Sequence, residues 1–535
     1  MRKSLKLISL IITITLFLCS CSTSKTTNVS NGDTTFDEQK NGGTIKMGTV
    51  PVDTLNPLLT IHSSVRDFLS LVYEGLFVAM PDLSATPVLA SEYVTSGDNT
   101  VYTIKLKGGV KFHSGKAFSS EDVVATLSYI ENYGGKYTSV TDAIASYTAS
   151  SSDTVIITLK RPIADFVNLL DFPILPSGLD YEAFVTPSSG FTPDGTGIYS
   201  FEGITEHKNI YLKANETWHN SEKRAHIDKI DVEILSDEET IVSAFDAGII
   251  DIFALSWKNP SELTLISNSY NVFETPQNML TFLGINNASA AFDTKEERAL
   301  FVTTINRDKL CEDIMLGRAS AALYPIRDGV YFDEENVMGK DNSETDTPNE
   351  TTVKIEKPSE INLLYNSDNK TKKRLALALK QQLDIAGYNT VLNPQPFETY
   401  LSKVANCEYD VYVGEVNIDN ASNLEFMFGK ASAQPPVENE DGEIIEQPVA
   451  IQSMGGISNF ADTKLTDIID NLNSAKDAEA MKLSYNNLKI FYEANYPQIP
   501  LFHMNDAIFV NSRIKGALKP NLTSFYADIG GIYIE

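Results

Sequence analysis

Residues 101–130 read VYTIKLKGGVKFHSGKAFSSEDVVATLSYI. Tyr102, Ile104 and Leu106 alternate with Val101, Thr103, Lys105 and Lys107, the period of a half-buried strand. Gly108 and Gly109 signal a tight turn. Val110 and Phe112 resume a short apolar alternation, which Ser114 and Gly115 end. Ser119 stands three residues before Asp122, with Glu121 beside it, as at a capped helix start. Val123, Val124, Leu127 and Ile130 follow at helical spacing. The stretch therefore predicts strand, turn, short strand and capped helix.

The run GGVKFHSGKAFSSEDV resembles the signature segment of family 5 extracellular solute-binding proteins, the peptide- and nickel-type receptors of ABC importers. Gly109, Val110, Lys111, Phe112, His113, Gly115, Phe118, Glu121, Asp122 and Val123 carry the match. The resemblance implies a structural corner of a first lobe, so Lys111, His113, Glu121 and Asp122 are not expected to be catalytic. Other segments extend it from about Gly43 to the C-terminus. GTIKMG reads as a first strand, and Leu55 and Pro57 follow it in the family manner. LSLVYEGLF (69–77), PVLA (87–90) and PDGTGIY (193–199) match family segments, the last with Ile198 for the usual proline. DAGIID (246–251) also matches. So does Ile305-Asn306-Arg307, where Asn306 replaces an aspartate.

The implied fold is mixed α/β (α+β): a two-lobed, periplasmic-binding-protein-like fold with a hinge and an extra subdomain in the first lobe. Lobe I is expected over 43–284, with the subdomain at roughly 68–190. Lobe II covers 285–503, and 504–535 returns to lobe I. Crossings are expected near 283–287 and 502–506. Acidic, aperiodic insertions stand near 327–359 and 434–447. Residues 361–392 read independently as strand, helix and strand, a βαβ unit.

The chain has 535 residues, more than one core holds. Arg2, Lys3 and Lys6 precede an apolar run over 7–18, a secretory leader. Ser20-Cys21 resembles the end of a bacterial lipobox, with Cys19 unusual one place earlier. Residues 1–20 are thus expected to be a signal peptide and Cys21 the lipidated residue; a plain signal peptide and an uncleaved anchor are the alternatives. Polar residues 21–42 would be a flexible tether. The net charge of -28 disfavours nucleic acid and anionic lipid surfaces. Cys311 and Cys407 either pair as a disulfide or stay as two buried thiols.

The chain carries no HExxH, G-x-S-x-G or GxxxxGK[ST] motif. Its six histidines are scattered. No enzyme activity, cofactor or metal is expected. The resemblance implies an interlobe cleft with candidate ligand residues Thr49, Val50, Ser256, Trp257, Met279, Phe282, Glu415, Asn417, Asp419, His503 and Met504. In peptide-binding members an aspartate after a late strand holds the ligand's α-ammonium. Asp419 is the nearest match, in a segment (GEVNIDNASN) lacking the family's Trp, Tyr and Pro; a solvated loop aspartate is the alternative. Trp257 serves either the lobe packing or a cleft wall. The expected protein is a monomeric, membrane-tethered receptor that delivers a small solute, oligopeptides first, to permease subunits. A nickel chelate, sugar or opine receptor is the alternative, or a surface lipoprotein that senses or binds protein.

Overall fold

The computed structural model describes residues 42–535 apart from 164, 180–190, 256–268, 288, 328–356, 419–423, 425–426, 429–430, 433–436, 439–443, 446–449, 452–459 and 476–477. The chain enters through β1 (Thr44–Thr49) and the short helix α1 (Ser63–Leu69). A subdomain follows. Its hairpin is β2 (Phe77–Ala79) with β3 (Ala85–Pro87). Then come β4 (Ala90–Thr95), β5 (Val101–Leu106), α2 (Ser120–Tyr133), α3 (Thr138–Ala143), β6 (Ile144–Ser151) and β7 (Thr154–Leu159). The last four strands form one antiparallel sheet in the order β4-β5-β7-β6.

Strand β5 buries Tyr102, Ile104 and Leu106, the face its alternation assigns to the core. Helix α2 begins after Ser119, whose N–H donates to Asp122 Oδ2 at 2.8 Å. The second short strand shrinks to one bridge, Lys111 to Ala117, because the chain reverses at Gly115 (φ +89°). Asp122 is fully buried and also takes the Lys116 ammonium at 2.7 Å and the Ser177 N–H at 2.8 Å. Burial alone would raise its pKa; these donors outweigh it and hold the carboxylate below its ordinary range.

The main sheet continues with β8 (Tyr199–Thr205), β9 (Asn209–Ala214) and β10 (Lys229–Ile234), then α4 (Glu238–Asp246), β11 (Ile252–Leu255) and the long β12 (Tyr270–Ile285). Helices α5 (Lys295–Val302) and α6 (Arg307–Asp313) lead to β13 (Ala319–Ala321). Asn306 caps α6, its Oδ1 accepting from Lys309 N at 2.9 Å. The βαβ unit is β14 (Ile361–Asn366), α7 (Lys370–Ile385) and β15 (Thr390–Gln395), its strands paired in parallel. Helix α8 (Phe397–Ala405) and β16 (Val411–Asn417) follow. Between them and the next helices lie two short ladders: β17 (Ala431–Ser432) with β20 (Ala450–Ile451), and β18 (Val437–Glu438) with β19 (Ile444–Ile445). Helices α9 (Thr463–Asn473) and α10 (Ala478–Asn495) precede the second long strand, β21 (Gln498–Asn511).

These strands make one sheet in the order β15-β14-β16-β12-β21-β11-β1-β10-β9-β8, with β13 on β21. Two strands hold its halves together. Residues 270–276 of β12 face 505–511 of β21 beside β11; further along, residues 280–284 still pair with 498–503 of β21 and also pair with β16 on the other side. The β12–β21 register slips between Pro276 and Leu280, upstream of the 283–287 crossing expected from sequence. Pro276 cannot donate to a ladder, and a bulge bends the strand there.

The core divides accordingly. One cluster joins β1, β9 and β10 to the subdomain. Two more cover opposite faces of β14 and β16, for example Leu363 and Val413 on one and Leu364 and Tyr412 on the other. Burial on both faces explains why these strands read as continuous apolar runs. Beyond β21, β22 (Ile514–Lys515) pairs with β23 (Tyr533–Ile534), and Tyr526, Ile529 and Ile532 return to the first cluster. Cys311 and Cys407 are free thiols in different clusters, so the disulfide alternative does not hold. Among the described residues, no helix is long and apolar enough to cross a membrane.

Candidate functional site

A cavity of about 930 Å³ lies where α1, the subdomain and the C-terminal segment meet β12, β16 and β21. Strand alternation decides which side chains reach it. On β16, Glu415 and Asn417 share one face; both are exposed and line the cavity. They stand within the strand, which runs three residues past Gly414. Met279 lies opposite Asn417 in the β12–β16 ladder and joins them. Met504 and Asp506, two apart on β21, present their buried side chains to the same space.

The other described candidates are placed elsewhere. Phe282 belongs to the opposite face of β12 and is 1% exposed. Its ring covers Gly414, its partner across the ladder, where a Cβ would lie 2.3 Å from the ring. His503 points away from Met504 and is 2% exposed. Burial first, and then the Arg327 charge, push its pKa down to about 3, so it is a neutral core side chain. Thr49 is buried, its Oγ1 3.1 Å from Ser64 Oγ. Val50 borders a separate open hollow with Pro51, His62 and Asp237. Ser256, Trp257, Asp419 and Cys21 lie outside the described residues.

Sequence reasoning missed the charged wall. Arg66 and Asp67 of α1, Lys136, Asp171 and Asp506 all line the cavity. Arg66 Nη1 donates to Thr60 O at 2.7 Å, and Asp171 accepts from Thr523 Oγ1 at 3.1 Å. Burial first, and then the neighbouring Asp506 carboxylate, push the Asp67 carboxyl up to about 8, against the pull of Arg66 and Lys136. Desolvation by the surrounding protein lowers the Lys136 ammonium, although the side chain is exposed, and Asp171 and Asp67 oppose it. Only Asp506 carried a sequence signal, an acid inside the apolar strand PLFHMNDAIFV. Arg66, Asp67 and Lys136 read as ordinary surface charges. Glu415 has Lys372 3.9 Å away.

A mixed α/β sheet in two halves, shared by two long crossing strands and flanking a charged cavity, is the architecture of an extracytoplasmic solute-binding protein. The family model described as bacterial extracellular solute-binding proteins, family 5 Middle, matches residues 84–435, and this chain belongs to that family. It is a family of binding proteins, not enzymes. The chain is 24% identical over 339 residues to the oligopeptide-binding protein AppA of Bacillus subtilis, covering 61% of each. It is 23% identical over 385 residues to the probable D,D-dipeptide-binding periplasmic protein DdpA of Escherichia coli, covering 70% of this chain and 74% of that one. The matched region thus spans less than two thirds of AppA's length. The crystal structure of the ABC transporter substrate-binding protein CtaP from Listeria monocytogenes superposes with a TM-score of 0.69 at 18% identity, covering 92% of this chain and all of that one.

Proposed function

We propose that this protein is the extracytoplasmic receptor of an ABC importer, held at the membrane by a lipid on Cys21, and that it takes oligopeptides into the cavity and delivers them to a permease. The observation that carries the reading is the cavity's composition. Its walls come from both halves of the sheet, and they carry carboxylates and cationic groups together. A peptide brings both charges and a polar backbone, so such walls can meet all of it. Both sequence relatives named above are peptide binders by name, which supports the same ligand class. The slip in the β12–β21 ladder is the hinge about which the halves close on the ligand.

Native mass spectrometry of the purified full chain tests the ligand class. A co-purified peptide mixture is the expected result. A single nickel chelate, sugar or opine would replace the peptide reading with another solute. Small-angle scattering tests the hinge: saturating peptide should reduce the radius of gyration, and an unchanged value would argue against closure.

A further inference from the structure

In the cavity wall, Arg66 is engaged by a backbone carbonyl and Asp171 by a threonine hydroxyl. Asp67 and Lys136 differ. Neither side chain makes a hydrogen bond or ion pair with any described residue, and Lys136 Nζ lies only over the Tyr137 ring, 5.4 Å from its centroid. Asp67 is half-buried and Lys136 exposed at the cavity wall, so both side chains are open to an incoming group.

We infer that Asp67, backed by Asp506, receives the ammonium group of the ligand, while Lys136 receives its carboxylate. The ligand is then a zwitterion with both charges inside one cavity, an amino-acid-like head group or a short peptide rather than a long one. A strand advances about 3.3 Å per residue, so the termini of a long peptide stand too far apart for one charge cluster. This inference rests on the solute-binding reading above and narrows it.

The arrangement couples binding to a proton. In the empty cavity the Asp67 carboxyl faces Asp506, Arg66 and Lys136, with the Tyr137 and Tyr526 rings near enough to feel its charge. Burial and Asp506 keep it protonated at neutral pH. An arriving ammonium favours the carboxylate, so Asp67 gives its proton to solvent as the ion pair forms. The ligand's charge is retained and one proton is released.

Titration calorimetry of the ligand-free protein with dialanine, trialanine and tetraalanine at pH 6.5, in two buffers of different ionisation enthalpy, counts that proton. The bound peptide should release about one proton. Its N-acetylated form should bind at least about tenfold more weakly. Asp67→Asn, which resembles the protonated acid in shape and charge, should weaken binding by a similar factor and release no proton. If that variant does not fold, the proton count and the acetylation comparison still decide. Binding without proton release, or equal affinity for the acetylated peptide, overturns the inference and leaves the peptide-receptor reading in place. Binding of none of the three peptides overturns both.

Discussion

The imidazole of His113 donates through Nε2 to the carbonyl oxygen of Gly197 at 2.9 Å and accepts through Nδ1 from the Gly195 N–H at 3.4 Å. The His113 N–H also donates to Gly195 O at 2.8 Å, and the Ser114 N–H to Asp194 Oδ1 at 2.9 Å. Two segments legible as motifs, KFHSG and PDGTGIY, are therefore the two sides of one clasp, which fixes the subdomain to β8. The carbonyl partner sets the tautomer, since only an N–H can meet it.

Replacing His113 with Ala removes the side-chain half of this clasp and leaves the buried Gly195 N–H unmet, while the Gly197 carbonyl keeps Asn215 Nδ2 at 3.0 Å. We expect a loss of about 1–3 kcal/mol, read from urea unfolding. Burial holds the imidazole pKa below its ordinary value. The unfolded chain then binds more protons than the folded one below about pH 6.5, so stability from His113 is present at neutral pH and lost as pH falls. The difference between wild type and His113→Ala should shrink in acid. A difference that grows in acid would mean a charged histidine in the clasp.

Gly195 is needed for space. A Cβ there would sit 2.0 Å from the Val72 carbonyl oxygen, and one on Gly197 2.4 Å from that of Leu71. Both obstacles are backbone, which cannot rotate away. Gly195→Ala should cost about 1–3 kcal/mol or more, as overpacking does. Gly203→Ala, with nothing within 4 Å of its Cβ, is the control and should be mild. Equal melting temperatures for the two variants would refute the steric account.

Leu83, at the tip of the β2–β3 hairpin, packs into the cluster of Leu280, Phe282 and Tyr412 and is 3% exposed. It does so at φ +62°, a left-handed backbone that leucine rarely adopts. Arg327 reinforces the contact by donating to Pro81 O at 2.5 Å and to Asn278 Oδ1 at 3.2 Å. The hairpin thus pins the first half of the molecule to the second beside the slip in β12. Leu83→Ala should cost about 2–5 kcal/mol and widen the spread of lobe separations in solution. Double electron resonance between spin labels on the two halves would show it; an unchanged distance distribution would mean that the pin is only local.

The sequence was most legible where one period ran clean. The expected strand–helix–strand of 361–392 is β14, α7 and β15. The last strand starts two residues late, because Gly387 (φ +86°) and the Tyr388 N–H bond to Leu383 O still close the helix. The cleft was legible only as strand ends. Family resemblance marks the strand but not the face that opens on the cavity, and a shift of one residue reverses every side chain. Hence Met279 and Met504 reach the cavity while Phe282 and His503 fill the core. Arg66, Lys136, Asp171 and Asp506 come together only through long-range folding, which no local spacing records.

Cys21 follows a short apolar run and precedes a polar stretch of sequence. Cys21→Ala should abolish palmitate labelling and release the protein from membranes, since stable anchoring needs acyl chains. Labelling that persists in the variant would move the anchor to Cys19.

Asp67 gives the last prediction. Its folded pKa of about 8 stands far above the ordinary carboxyl value of 3.8. Between those values the folded protein holds a proton that the unfolded chain has lost. Stability must therefore fall as pH rises from about 4 to about 8, and stay level with respect to this group beyond. Asparagine does not titrate. Ligand-free Asp67→Asn and wild type should match near pH 4, and the variant should become progressively more stable up to pH 8. The gain is below about 1.4 kcal/mol per pH unit, because cavity water screens the charge. Urea midpoints at pH 4.5, 6 and 8 measure it. A variant that is less stable at pH 8 would show instead that Asp67 is ionised and paired in the empty cleft, and that binding needs no proton to leave.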